Sequence, residues 1–386
     1  MTVRYSPKEM LARLVAFPTV SSRTNLDLIA FVEDYLAGHG VPSVRVPDAT
    51  GEKAGLHAII GPRVDGGVVL SAHTDVVPVE GQAWSCDPFT LTERDGRLYG
   101  RGTCDMKGFA ALMLAAVPEM LAAPLARPIH LALSYDEEVG CLGAPHVIRA
   151  MLADGPRPDR VIVGEPSSLK VVTAQKGTGL LRVTVKGHSV HSSQWDRGVS
   201  AVATAARLIA WLDDRTRENQ AAASPDSPFD PPFTTLHCGL VEGGTASNIV
   251  ASLCRFTTDI RWLPEDSFDA WQARFEDFVD TQIRPGMRRI HLDADVIVER
   301  GSVVPPLRPE SDGMAEALAR RLTGDNAHHA VVYGTEAGQF QDAGLSTVVC
   351  GPGSIDQAHQ PDEFIDTAQL AAGARIMSRL VEALST

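Results

Sequence analysis

Val68-Val69-Leu70-Ser71-Ala72-His73-Thr74-Asp75 (VVLSAHTD) is a short apolar, β-branched run that ends in a histidine and a carboxylate. Val68–Ser71 has the length and composition of a strand buried on both faces. The same grammar returns twice. Ile129–Ser134 runs into Tyr135-Asp136-Glu137-Glu138, and Val161–Val163 runs into Gly164-Glu165-Pro166. Between the first two lies Met106–Met120, an Ala/Leu/Met-rich helical pattern. Strand, helix, strand with near-continuous apolar strands predicts an α/β fold: a largely parallel sheet with helices on both faces. Such sheets collect chemistry at the carboxyl ends of their strands, and each acidic cluster falls there.

Upstream, Pro7–Phe17 reads as helical. Asn25–His39 does too, with Leu28, Phe31, Val32, Tyr35 and Leu36 on one helix face and Gly38 and Gly40 as a stop. Downstream of Gly177 the pattern changes. Leu180–Lys186 alternates as a strand and Val199–Leu212 is helical. Thr234–Val241 and Cys254–Trp262 are strands, Ser267–Gln282 is helical, and Ile290–Glu299 alternates again. That order, β-α-β-β-α-β, is a complete ferredoxin-like α+β unit, with Thr216–Pro232 expected as an exposed loop inside it. From Gly301 the first pattern resumes with helix 312–322, strand 347–350 and a last helix from Thr367. The expected organisation is a catalytic domain over 1–177 and 300–386, interrupted by a smaller domain over 178–299.

The whole-chain numbers agree with this plan. At 386 residues, 44% hydrophobic and 22% charged, the chain has material for more than one domain with substantial cores. A net charge of −13, with no Lys/Arg block, excludes a phosphate-tracking surface, so nucleic acid is not an expected partner. The longest apolar stretch, Gly108–Val117, is far short of the roughly 20 residues that span a bilayer, so no membrane partner is expected either. Met1–Val20 mixes Arg4, Lys8, Glu9 and Arg13 among its apolar residues, unlike a secretory leader. Six scattered cysteines without a CxxC pair fit a reduced, cytoplasmic protein.

Taken singly, the polar clusters have ordinary readings: a hydrogen-bonded pair at a strand end, a solvated acidic turn, a Gly-Glu-Pro turn, a surface histidine. Taken together they make a ligand set. His73, Asp105, Glu138, Glu165 and His359 offer the imidazole nitrogen and carboxylate oxygen that Zn²⁺ accepts. With Asp105 and one hydroxide shared, they give each of two zinc ions four ligands, and three carboxylates plus hydroxide neutralise two dications. Co²⁺ or Mn²⁺ would be accepted by the same donors. Glu137 is left over, a spare carboxylate suited to general-base work. Asp75, two residues past His73, is placed to hold the other ring nitrogen of that histidine.

Several longer runs carry a resemblance. They are Ser71-Ala72-His73-Thr74-Asp75-Val76-Val77-Pro78, Tyr99–Gly108 (YGRGTCDMKG), Asp136-Glu137-Glu138, Gly164-Glu165-Pro166 and Gly187–Ser193 (GHSVHSS). With these the chain resembles the M20 family of dinuclear zinc amidohydrolases and peptidases over nearly its full length. Trp84–Thr92 (WSCDPFTLT), Gly334-Thr335-Glu336-Ala337 and Gly351–Glu363 (GPGSIDQAHQPDE) bring it nearest to the branch that deacetylates N2-acetyl-L-ornithine in arginine biosynthesis. Other M20 hydrolases, a succinyl-diaminopimelate desuccinylase or a dipeptidase, share the same metal residues.

The resemblance implies that His73 and Glu165 complete one zinc site and Glu138 and His359 the other, with Asp105 bridging. It implies that Glu137 takes a proton from the bridging water and hands it to the departing amine. The inserted domain becomes a lid and dimerisation domain, whose His191 supports the oxyanion from the second subunit of a homodimer. Asn248 and Arg261 sit at the positions the family uses on a substrate carboxylate, and Gly334 and Thr335 resemble a substrate-lining loop. Glu336 is assigned by its charge to the substrate ammonium.

Overall fold

The computed structural model describes residues 3–153 and 155–385. It divides into two compact units, the first comprising Met1–Ala174, Leu307–Ala330 and Thr335–Thr386, the second Gln175–Pro306 and Val331–Gly334. The short return of Val331–Gly334 to the second unit has no counterpart in the sequence pattern. Among the described residues no helix is long and apolar enough to cross a membrane.

The first unit is organised by an eight-stranded sheet. Its spatial order is Ser43–Pro47, Ala54–Ile60, Ile129–Ser134, Val68–His73, Arg160–Pro166, Ser346–Gly351, Val172–Gln175 and His329–Val331. The centre is parallel: Val68–His73 pairs in parallel with Ile129–Ser134 on one side and Arg160–Pro166 on the other, and Ser346–Gly351 continues it. The flanking pairs are antiparallel. Every residue of Val68–His73 and Ile129–Ser134 is buried, which is why these strands read as continuous apolar runs rather than alternating ones.

Helices on the sheet fill in the core. Pro7–Val15 begins with a reciprocal cap in which Ser6 and Glu9 each accept from the other's backbone. The expected helix over 106–120 is two, Lys107–Ala115 and Val117–Ala122, because Pro118 restarts the chain at a new N-terminus. Lys107–Leu114 is buried all round. Its Phe109 ring lies over Gly164, where any side chain would overlap the ring, so the glycine of Gly164-Glu165-Pro166 is a packing requirement. The sequence also left unsignalled a small antiparallel sheet of Thr92–Arg94, Arg97–Tyr99 and Phe364–Asp366. Three residues per strand is too short for a hydrophobic period to show.

The second unit has a four-stranded antiparallel sheet in the order Thr235–Gly243, Leu253–Trp262, Gly177–Lys186, Asp295–Val304. Ala201–Ala221 and Phe268–Phe278 are its two main helices, and Leu181, Val183, Leu208, Phe256, Trp271 and Phe275 are among its core residues. Strand order and direction are those of the expected β-α-β-β-α-β unit. Several boundaries differ, among them the first strand, which begins at Gly177, and the last, which runs on to Val304. The first helix continues to Ala221, nine residues past the expected end, because Asp213–Arg217 and Arg215–Glu218 pairs line its outer face. Its Thr216 hydroxyl and Asn219 amide also donate to the carbonyls of Leu236 and Thr234. The chain after Phe278 stays helical through a π turn and Arg284–Ile290, so the last strand starts at Asp295 rather than Ile290. Pro285 lies in the first turn of that helix, where a missing N–H costs nothing.

Candidate metal centre

Three neighbouring parallel strands end on one rim of the first unit. His73 closes the central strand opposite Ser134, and Glu137 and Glu138 lie in the turn just after Ser134. Glu165 closes the strand on the other side of His73. Asp105 comes from the loop ahead of the helix Lys107–Ala115, and His359 from the turn after Ile355–Gln357. Strand order therefore converges side chains that are far apart in sequence.

The five expected ligands meet. His73 Nε2 is 3.0 Å from Asp105 Oδ1 and 3.7 Å from Glu165 Oε1. His359 Nε2 is 3.2 Å from Asp105 Oδ2 and 2.9 Å from Glu138 Oε2. The two oxygens of Asp105 thus face two different histidines, each of which has its own glutamate. Ligand atoms of His73, Asp105 and Glu138 lie within 4.8 Å of one another, and so do those of His73, Glu137 and Glu165.

The electrostatics call for cations. Burial pushes the Glu137 and Glu165 carboxyls well above the usual range and Glu138 up to about 7, with the Asp105 charge adding to each. Although burial opposes its charge, Asp105 is drawn below the usual carboxylate range by hydrogen bonds from His359 and His73. Those to Asp105 and Glu138 lift His359 to about 10. Glu138 Oε1 and Glu165 Oε1 are buried without a hydrogen-bond partner among the described residues. An orphaned buried carboxylate oxygen is expensive unless something positive meets it. Nitrogen and carboxylate donors with two such oxygens fit divalent cations of the Zn²⁺, Co²⁺ or Mn²⁺ type.

Around the ligands, the expected roles shift in two places. His73 Nδ1 donates to the backbone carbonyl of Asp75 at 2.9 Å, while the Asp75 carboxylate is 3.6 Å away. The carbonyl fixes the tautomer, leaving Nε2 for the ligand side. The Asp75 carboxylate serves the neighbouring turn: it accepts from Ser21 Oγ at 2.7 Å and from the backbone N–H of Glu137 and Glu138 at 3.1 and 3.3 Å. Glu336, expected against a substrate ammonium, is 1% exposed. Its carboxylate accepts from Ser71 at 3.1 Å and from Ser134, tying together the strand that ends at His73 and the strand that leads into the Glu137 turn. A carboxylate so enclosed faces protein, not solvent.

Glu137 is half-buried, and Cys141 Sγ donates to its Oε1 at 3.1 Å. Thr335 is fully buried, its Oγ1 accepting from Ala337 N at 3.0 Å. In the second unit His191 is exposed with Nδ1 2.8 Å from Ser193 Oγ, and Asn248 is exposed on the segment beside it, its carbonyl accepting from Ser192 N at 2.9 Å. Arg261 holds Asp259 at 2.9 Å through Nε, and Gly334 packs on Thr178. Sequence reasoning passed over Arg101, Cys141, Ser71 and Ser134. Arg101 stands inside the run Tyr99–Gly108, and a charged residue flanked by apolar and glycine neighbours was its available signal.

The comparisons follow this geometry. The model of Peptidase family M20/M25/M40 matches residues 69–383. Acetylornithine deacetylase of Photorhabdus laumondii subsp. laumondii is 34% identical over 382 residues, covering 97% of this chain and 96% of the relative. Among solved structures, an M20 family metallo-carboxypeptidase from Sulfolobus solfataricus superposes with TM-score 0.75 at 18% identity, covering 99% of each chain. A Bacillus subtilis dinuclear metal-binding peptidase of the M20 family gives TM-score 0.63 at 18% identity, covering 98% of each. These two likenesses are of fold. With the family model spanning most of its length, the chain belongs to peptidase family M20/M25/M40 and is a hydrolase.

Proposed function

We propose that this chain is a dinuclear-metal amidohydrolase that cleaves the amide of N2-acetyl-L-ornithine to L-ornithine and acetate, a step of arginine biosynthesis. The observation that carries the metal part is Asp105, whose two oxygens face His73 and His359 at 3.0 and 3.2 Å. The substrate part is supported by the near-full-length likeness to acetylornithine deacetylase. Two divalent cations, when bound, lower the pKa of water between them and polarise the scissile carbonyl. His73 and Glu165 would hold one and Glu138 and His359 the other, with Asp105 reaching both.

The remaining work falls to the protein. Glu137 takes the proton of the attacking water and delivers it to the amine nitrogen as the C–N bond breaks. Asp75 holds the Glu137–Glu138 turn through its two backbone N–H groups, which keeps base and ligand on separate bearings. Arg261 and Asn248 meet the substrate α-carboxylate, for which a guanidinium fork is matched in shape. Gly334 lines the substrate, and Thr335, buried behind it, holds that loop through Ala337 N.

His191 steadies the developing oxyanion from the other copy of a homodimer. The edge strand Thr235–Gly243 supports that assembly. It has one neighbour in its sheet, and Leu240 and Val241 on it are 72% and 63% exposed. An open apolar edge is an invitation to pair with a second copy. The six cysteines are all free thiols, in keeping with a cytoplasmic enzyme.

The test is a substrate comparison with chelator-treated protein and zinc added back. Acetylornithine should be hydrolysed at least tenfold more efficiently (kcat/KM) than succinyl-diaminopimelate or a dipeptide. A reversed order would replace the substrate while keeping the metal chemistry. Activity unaffected by chelation would remove both.

A further inference from the structure

Glu363 is the most heavily hydrogen-bonded buried carboxylate near the candidate centre, and none of the roles above uses it. It is 1% exposed, as is Arg101, its ion-pair partner at 2.8 Å. One oxygen, Oε2, accepts from Arg101 Nη1 at 2.8 Å and from Gly102 N at 3.0 Å. The other, Oε1, accepts from Cys104 N at 2.8 Å and from Asp105 N at 3.0 Å. Three amides of one loop, those of Gly102, Cys104 and Asp105, converge on one anion and form a concave backbone cradle. The last of those amides belongs to the residue whose side chain faces both histidines.

The same pair reaches the His359 loop. Glu363 lies four residues after His359, and Arg101 Nη1 donates to the carbonyl of Gln360 at 3.3 Å. Arg101 Nη2 donates to Gln82 Oε1 at 2.5 Å, and Gln82 Nε2 donates to the carbonyl of His359 at 2.9 Å. His359 itself is half-exposed and backbone-strained at φ 63°. These bonds, with that of Ser85 N to Asp362 Oδ1 at 2.8 Å, fasten the His359 loop to the chain around residues 82–101. A fully buried ion pair is a poor source of stability compared with apolar packing. Its geometry is what it provides.

We propose that Glu363, with Arg101, is a positioning residue for the metal pair: it ties the Asp105 loop to the His359 loop at ligand spacing before any ion arrives. It therefore sets metal affinity and takes no part in the chemical step. The inference rests on the metal-hydrolase reading above.

The experiment titrates Zn²⁺ into metal-free full-length protein against a chromophoric chelator, for wild type, Glu363→Gln and Arg101→Lys, with folding followed by circular dichroism. Glutamine turns one acceptor into a donor facing N–H groups, and lysine keeps the charge while losing the two-armed reach to Gln360 and Gln82. Each variant should bind Zn²⁺ about 10–100-fold more weakly, the range for disturbed ligand supports. Hydrolysis should be depressed at limiting Zn²⁺ and largely restored at saturating Zn²⁺. If both folded variants hold Zn²⁺ as tightly as wild type, the proposal is wrong, and a lowered melting temperature alone would make the pair merely structural. Should Glu363→Gln not fold, Arg101→Lys decides. Wild type that binds two ions while the variants match it overturns only this inference, whereas wild type that binds none overturns the metal-hydrolase reading as well.

Discussion

Single side chains carry the sharpest consequences. Glu137 has no ligand duty in the arrangement proposed here, so Glu137→Gln should keep both metal ions and lose about 10²–10⁴-fold in kcat, the span of general acid–base catalysis. Turnover within threefold of wild type would move the base elsewhere. A second residue-scale consequence lies in the sheet. His57 and His130 stack on adjacent strands with ring centroids 5.6 Å apart, and burial, reinforced by His57, lowers His130 to about 3. The unfolded chain binds a proton at this histidine below about 6.5, whereas the folded one refuses it until about 3. Stability from this group is therefore full above about 6.5 and lost as pH falls through that window, about 2 kcal/mol of it by pH 5. His130→Phe should flatten that acid-side fall in urea midpoints; an unchanged slope between pH 7 and 5 would refute the assignment.

The residues that were legible in the sequence are those whose chemistry is conspicuous by type: His and acidic groups placed after apolar runs. The sequence marks Glu336 and Asp75 by charge and sets Asp75 beside His73, which it does meet, but it does not show the other partners of their carboxylates. Their type signals charge, and only three-dimensional packing reveals that Ser71, Ser134, Ser21 and two backbone amides claim their oxygens. Glu363 was hidden for the same reason, since a cradle of backbone N–H groups leaves no trace in side-chain identity.

Among elements, long periodic segments and fully apolar strands were readable, and short or context-made ones were not. Ile129–Ser134 was delimited to the residue because it is buried on both faces and stopped by an acidic turn. The helix through Ala221 is longer than expected because the Ala, Ser, Asp and Pro content of Thr216–Pro232 reads as loop, although ion pairs and hydrogen bonds of Arg215, Glu218 and Asn219 sustain the last turns. The three-residue strands that brace the Glu363 segment carry no period at all. Two predictions belong here. Gly164→Ala would force a side chain into the Phe109 ring, and overpacking of this kind costs about 1–3 kcal/mol, readable as a lower urea midpoint. An unchanged midpoint would mean that the helix Lys107–Ala115 can yield. On the edge strand, Leu240→Lys with Val241→Glu should turn the proposed dimer into a monomer by light scattering, with Zn²⁺ binding intact. A dimer that survives the double change would place the interface elsewhere.

For the molecule as a whole, the sequence conveyed the fold class through one repeated device, an apolar strand that ends in ligands. Chain order then hid what the fold makes plain: residues 73, 138 and 165 share one rim because strands 129–134, 68–73 and 160–166 are neighbours in parallel, and the loops that carry Asp105 and His359 reach the same rim. The net charge of −13 is spread over the chain, yet the rim concentrates Asp105 with three carboxylates, Glu137, Glu138 and Glu165, whose ionisation burial resists. Such a concentration is unfavourable without compensating cations, and two orphaned carboxylate oxygens mark where that compensation belongs. Catalysis by this molecule is, in this account, a consequence of that charge balance.

The most direct test is the count of ions. Metal-free protein dialysed to equilibrium against micromolar Zn²⁺ and analysed for metal per chain should retain two ions, and Asp105→Asn should lose the capacity for both together. Retention of fewer than two by the wild type, or loss of only one in the Asp105 variant, would contradict the shared-carboxylate centre on which the proposed hydrolysis depends.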